Sequence, residues 1–381
     1  MKMNKSILAL ALGLSVAGAV NAGTVYITGS TAARSVVYTT LATAGSVFSS
    51  APTITTYGSA SASGATYMIF SGTLVGGGAS VVDCLWSGSE AGLSDVATPN
   101  NETFADPAFA NGAVNTASPT HTVAAQVNLA MADNAQGYSR TPTPAVSGTF
   151  VGVIPFDWVR NNGNFTGGNV TDIQIRAALG GLCPLAFFSG NAADTTSYVY
   201  VSGRDSSSGT RVNAFGDSGF GILSAPVQVE VNASGVMQQD PANPGVYGDD
   251  FGFSSGGTLA GTLGSSTTAA SGNIDQVNGG NGFSVIAYLG VADANTAHTA
   301  GGTILTYNGV AESAAAIAEG AYTFWGNEYI YKATVGNNAE INLVDTRIVN
   351  NIGTYADGVK LISIANMHAT RNGPTSDPYH N

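Results

Sequence analysis

Ser202-Gly203-Arg204-Asp205-Ser206-Ser207-Ser208-Gly209-Thr210-Arg211 follows a strand-like run at 197–201 (SYVYV) and leads into Val212-Asn213-Ala214-Phe215, which can begin a helix. A strand that turns through Gly and Ser into a helix is the unit from which α/β layers are built. The Ser-Gly-Thr step gathers several backbone N–H groups and two hydroxyls on one spot, and the helix dipole adds partial positive charge there. Gly209 lets the backbone approach a ligand closely. Arg204 supplies a planar fork of donors matched to an oxyanion. The arrangement suits a tetrahedral anion such as phosphate. The plain alternative is a Ser/Gly turn that only caps a helix.

The same device stands near the start of the chain. Residues 24–28 (TVYIT) alternate as a strand does, and Gly29-Ser30-Thr31-Ala32-Ala33 then leads into a helix through Arg34-Ser35-Val36-Val37-Tyr38. Residues 53–57 (TITTY) form another strand, which runs into the hydroxyl-rich loop Gly58-Ser59-Ala60-Ser61-Ala62-Ser63-Gly64. Leu93-Ser94-Asp95-Val96 reads as a further strand-to-loop junction. The strongest buried strand is 150–159 (FVGVIPFDWV), followed by 283–289 (FSVIAYL) and the aromatic run 322–331 (YTFWGNEYIY). Residues 171–179 predict a helix, with Thr171 as cap, Gln174 completing a capping box and Gly180-Gly181 ending it. An Ala-rich helix over 311–319 stops at Gly320. Residues 100–147 are polar and weakly periodic and read as an inserted loop region, and 227–282 is Gly/Ser/Asn-rich with little helical period. No fixed-period repeat is present. Strands alternating with short helices predict an α/β fold. The Gly-rich middle leaves an all-β secreted module as the competitor.

Bulk composition narrows the function. The hydrophobic fraction of 44% over 381 residues supports real cores, enough for two lobes. Only 9% of residues are charged while 50 are Gly, so the polar surface must come from Ser, Thr, Asn and backbone in many tight turns. A net charge of −12 argues against a nucleic-acid partner, which needs clustered Lys and Arg. An acidic protein can still hold a small anion through local dipoles and one or two Arg. Lys2 and Lys5, the small-residue apolar run 7–20 and the step Val20-Asn21-Ala22 fit a bacterial secretory signal peptide over 1–22, with Gly23 first in the mature chain. No Cys follows that step, and no later stretch reaches transmembrane length, so a soluble periplasmic or secreted protein without a membrane anchor is expected. Cys84 and Cys183 could form one disulfide in such a compartment or remain two buried thiols.

The order Ile27-Thr28-Gly29-Ser30-Thr31-Ala32, then Ser94-Asp95, then Gly203-Arg204-Asp205-x-x-Ser208-Gly209-Thr210, resembles the phosphate-binding proteins of bacterial ABC phosphate importers, which are type 2 periplasmic binding proteins. The helix over 171–179 precedes the Arg-Ser-Gly-Thr motif as it does in that family, and Asn281-Gly282-Phe283-Ser284-Val285-Ile286-Ala287-Tyr288 resembles its late strand returning to the first lobe. The likeness runs in order over most of the mature chain and is loose outside Arg204 to Thr210. It implies two α/β lobes joined by crossover strands, here with β-rich, Gly-rich insertions: lobe 1 at 23–154, with the inserted region at about 100–147, lobe 2 at 155–288, and a return to lobe 1 at 289–381. It implies an anion bound by Arg204, Ser208, Gly209 and Thr210 from one lobe and by Thr31 and Ala32 from the other. One serine among Ser59, Ser61 and Ser63 adds a donor. Asp95 would accept the proton that hydrogen phosphate carries and sulfate lacks. The alternatives are a surface Asp capping a turn and, for Arg204, a surface ion pair. The implied partners are inorganic phosphate or a similar oxyanion and an ABC importer. The family's first loop continues with an aromatic residue and prolines. Here Ala33-Arg34-Ser35 stands instead, with Arg34 expected to face solvent more than the site.

Other signals point nowhere firm. Gly216-Asp217-Ser218-Gly219 imitates a serine-protease nucleophile motif, but Phe220 stands where a further Gly belongs. The four His (His121, His298, His368 and His380) show no metal spacing. Phe324-Trp325 and Tyr329 read as core more than as a sugar platform. No cofactor or catalysis is expected. The competing functions are an oxyanion receptor and a secreted structural or surface-associated protein that keeps the fold with a changed or lost ligand.

Overall fold

A computed structural model describes residues 23–181, 183–231, 237–238, 252–265 and 283–380. Its organising element is the strand Ser147–Arg160. Residues 151–159 of that strand are all buried, as a nearly continuous apolar run demands when a strand is covered on both faces. Its first part, Ser147 to Pro155, pairs antiparallel with Trp325–Lys332. Its last part, Phe156 to Arg160, pairs antiparallel with Phe283–Gly290. One strand therefore belongs to two lobes. Beyond Trp325–Lys332 the sheet continues through Leu129–Ala132, Gly23–Gly29, Ala79–Leu85, Tyr67–Thr73 and Thr53–Tyr57. Beyond Phe283–Gly290 it continues through Tyr198–Ser202 and Cys183–Pro184.

Helices cover both lobes, and the fold is α/β. In the first lobe Gly23–Gly29 runs parallel to both neighbours. The helix Arg34–Ala42 buries Val36, Val37, Thr40 and Leu41. Ser89–Ala97 packs on Gly23–Gly29 and Leu129–Ala132. In the second lobe Gly256–Ser265 and Val291–Thr299 pack on each other and on Phe283–Gly290. Asp172–Leu179 carries the expected capping box between Thr171 and Gln174. Ala314–Ala318 starts at Ser313 and is followed by Gly320 with φ +71°.

Several expectations need correction. Residues 100–147 are not loop throughout. Asn101–Ala105 pairs with Thr122–Gln126, and Leu129–Ala132 is a fully buried inner strand. Its four residues (LAMA) are too short and too Ala-rich to carry strand periodicity. Gly256–Ser265 is helical despite its glycines because Leu259, Ala260 and Leu263 bury one face. The chain does not return to the first lobe at 289: Thr303–Ile304 still pairs with Arg160 and Val159, and the return comes at Trp325. Cys84 and Cys183 are free and buried. The strands Tyr198–Ser202, Phe283–Gly290, Ser147–Arg160, Trp325–Lys332, Leu129–Ala132 and Gly23–Gly29 lie between theirs in the sheet. At roughly 4.8 Å per strand spacing that separation excludes a disulfide. The signal-peptide reading, and Asn281-Gly282 of the resemblance, fall outside the described residues. Among the described residues no helix is long and apolar enough to cross a membrane.

Candidate functional site: the interlobe cleft

The first strand ends at Gly29, whose φ of +116° and contact with the Met131 carbonyl leave no room for a Cβ. The chain turns there, and Ser30 N donates to Met131 O at 2.8 Å. The Ser30 hydroxyl accepts from Ala33 N at 3.0 Å and donates to the Asp133 carboxylate. Asp133 N in turn donates to Ser89 Oγ at 3.2 Å, at the start of Ser89–Ala97. Glu328 lies against Asp133, and both are buried. Burial, followed by the Asp133 charge, holds Glu328 well above the usual carboxylate range, and burial raises Asp133 as well.

The second lobe meets this floor directly. Ser208 caps Gly209–Asp217 by accepting from Arg211 N at 3.3 Å. A Cβ on Gly209 would collide with the Ser89 side chain, and one on Gly88 would collide with the Ser207 carbonyl. Glu90 N donates to Ser207 O at 2.9 Å. Asn213 Nδ2 donates to Asp133 O at 3.1 Å and to Gly209 O at 2.9 Å. Arg204 is 2% exposed. Its Nε donates to Phe253 O at 2.8 Å, and its Nη2 donates to Ser254 O at 2.8 Å and to Thr31 Oγ1 at 3.1 Å. The Arg204–Thr31 bond thus crosses from one lobe to the other.

Beside that bond lies a cavity of ≈ 130 Å³. Thr31, Ala32, Arg34, Ser61 and Ser63 line it from the first lobe, Gly290 to Asp293 from the second, with Lys360 at its rim. Asp293 stands in the first turn of Val291–Thr299 and opens onto the cavity. A Cβ on Gly256 would collide with Asp293 Oδ2 and lie 3.5 Å from Arg204 Nη1. A Cβ on Gly257 would lie 3.6 Å from Asp293 Oδ1 and 3.8 Å from Arg34 Nη2. The carboxylate therefore sits among two guanidinium groups. Burial lifts Asp293 above its ordinary value, while the Arg34 and Arg204 charges draw it back down. Burial lowers Arg34, Asp293 supports its charge, and Arg204 opposes it. Arg34 and Lys360 in the lining, Arg204 adjoining it and the hydroxyl donors equip the cavity for a small anion, and the protein's own carboxylate competes for the same charges.

Of the residues singled out from sequence, Thr31, Ala32, Ser61 and Ser63 line the cavity, and Arg204 adjoins it through Thr31. Ser59 lies outside the lining and accepts from Ser61 N at 3.0 Å. Ser208, Gly209 and Thr210 are buried behind it, at the helix end that packs on Ser89. Asp95 is not brought there. It lies inside the helix Ser89–Ala97 rather than at a strand-to-loop junction, and Thr28 Oγ1 donates to it at 3.2 Å. Burial, then the nearby Glu102 charge, pushes it up to about 7. Arg34 turns into the cavity instead of facing solvent. It precedes the buried Val37 and Leu41 by one and two helical turns, a spacing that places it on the inward face. Asp133 and Asp293 went unread, the first inside the supposed loop region and the second in a helix without a recognisable motif. The protease-like motif dissolves: the Ser218 hydroxyl donates to Ala214 O at 2.7 Å, and Asp217 is bound by Arg371 at 3.0 Å. Phe324 and Trp325 are fully buried. Among the described residues no group of three or more His, Cys, Asp or Glu could hold a metal ion.

No family model matches the chain, and no curated protein matches it in sequence. Solved structures do resemble it in fold. A putative phosphate ABC transporter substrate-binding protein with bound phosphate from Clostridium perfringens is 12% identical, with 90% of this chain and 99% of that chain covered and a TM-score of 0.45. An ABC-type phosphate transport receptor from Vibrio cholerae is 13% identical, with 89% and 99% covered and a TM-score of 0.45. A possible phosphate binding protein from Planctomyces limnophilus is 12% identical, with 90% and 93% covered and a TM-score of 0.42.

Proposed function

We propose that the chain is a non-catalytic receptor that holds a small tetrahedral oxyanion, phosphate first, between its two lobes. The observation that carries this reading is the bond from Arg204 of one lobe to Thr31 of the other, beside a small cavity that also holds Arg34 and the Ser61 and Ser63 hydroxyls. An anion entering there would take donors from Arg34, Arg204, Thr31 and the serines, and its charge would replace that of Asp293 between the guanidinium groups. The Ser-Gly-Thr motif would act one step back, by fixing the second lobe against Ser89. Delivery to an ABC importer from the periplasm, by a type 2 periplasmic binding protein, is the role that the sequence resemblance implies.

A second reading has one observation in its favour. The charges of both Arg already act on the buried Asp293 carboxylate, which suits a protein that keeps the fold with a changed or lost ligand. Calorimetric titration with phosphate and with sulfate separates the two. The receptor reading expects saturable phosphate binding that Arg204→Gln weakens by about a hundredfold, the loss of roughly 2.7 kcal/mol. Absence of heat with either anion, in protein shown to be folded by circular dichroism, supports the second reading.

A further inference from the structure

The loop from Asp106 to His121 closes on itself. Asp106 N donates to His121 O at 3.0 Å, and the Asp106 carboxylate caps Pro107–Phe109 by accepting from Ala108 N at 2.9 Å. The loop is tied to the strand Thr53–Tyr57 along its length. Thr56 N donates to Ala113 O at 3.0 Å, Gly58 N is shared by Asn115 O and Ala117 O, and Gly112 N donates to Thr55 Oγ1 at 2.8 Å. Asn115 Nδ2 donates to Thr56 O at 3.0 Å. The concave face between loop and strand is thus formed before any ligand arrives, which lowers the ordering cost of binding.

That face encloses ≈ 310 Å³, within the size range of small-molecule sites. Phe109 is 51% exposed, and its ring stacks on His121 with centroids 3.7 Å apart and planes 6° apart. Tyr57, Asn111, Ser118 and Thr120 complete the wall. The side chains of Ser118, Thr120 and His121 make no hydrogen bond to the described residues, so their polar atoms are available. No carboxylate, lysine or arginine lines the cavity, and it shares no lining residue with the cavity at Arg34.

We infer that this cavity is a second binding site, for the pyranose ring of a neutral saccharide. The stacked Phe109–His121 pair, with Phe109 half exposed, offers aromatic surface suited to the C–H face of a sugar ring, and amide and hydroxyl groups around it match the ring's hydroxyls. The lack of cationic and anionic side chains argues against a charged ligand. The density of polar groups argues against a purely apolar one. The inference does not depend on the oxyanion reading.

The test is saturation-transfer NMR and calorimetry on the full chain with neutral oligosaccharides of glucose, mannose, galactose and N-acetylglucosamine. At least one of these binds, Phe109→Ala weakens it about tenfold or more, and Phe109→Tyr retains it. Phosphate titration gives the same result in all three proteins. Absence of saturation transfer to every oligosaccharide at millimolar concentration overturns the inference, as does unchanged affinity in Phe109→Ala.

Discussion

Asp293 is the carboxylate that lines the cleft cavity. Its carboxylate lies among Arg34 and Arg204, so an incoming anion must compete with it. Asp293→Asn keeps the shape and removes the competitor. Calorimetry on this variant is expected to show phosphate affinity raised about tenfold, a gain of roughly 1.4 kcal/mol. Weaker binding in Asp293→Asn would mean that the carboxylate helps to hold the ligand instead. A second residue controls stability. Burial, then the Glu312 charge, pushes Asp157 up to about 8. The unfolded chain ionises such a group near about 3.9. Its folded value is raised, so its stabilising contribution is complete below about pH 4 and is lost as pH rises towards about 8. Asp157→Asn removes that loss and keeps the Oδ1 atom that lies 3.3 Å from the Tyr322 hydroxyl. The Tm of the variant relative to wild type should therefore climb between about pH 5 and pH 8. A constant difference across that range contradicts the account.

The element that joins the lobes is the start of Gly209–Asp217. In an isolated helix, Ala at position 209 would be favoured over Gly by up to ~1 kcal/mol. Here the added Cβ meets the Ser89 side chain, and overpacking of this kind costs about 1–3 kcal/mol. Gly209→Ala is expected to lower Tm and to weaken phosphate binding by holding the lobes apart. A raised Tm in thermal denaturation would show that the two helix ends do not touch. Elements with a strong local signal were legible in sequence: the apolar run at 150–159, the Thr171–Gln174 capping box and the strand-turn-helix at Arg204. Leu129–Ala132 was not, because four small apolar residues owe their strand to neighbours on both sides rather than to periodicity. Asp95 was misplaced for a related reason. The step from Ser94 to Asp95 imitates a loop, yet burial of Leu93 and Val96 on the inner face of Ser89–Ala97 makes it helix. Distance along the chain also hid Asp293 and Lys360, which line the cavity beside Thr31 and Arg34.

At the scale of the molecule, Ser147–Arg160 makes the two lobes one sheet, and polar bonds cross the cleft above an apolar core that residues of both lobes share. Glu90 N to Ser207 O, Arg204 to Thr31 and Asn213 to Asp133 are the bonds that opening would have to replace with water or a ligand. Such a cleft suits opening and closing about the shared strand, with the anion as the added link between lobes. The most direct measurement is a crystal structure of the protein soaked in phosphate. The account predicts tetrahedral density in the cavity, within hydrogen-bond distance of the Arg34 or Arg204 guanidinium and of the Thr31 hydroxyl, with Asp293 turned away. Density confined to the surface, or a cavity left empty with Asp293 still between the two arginines, contradicts it.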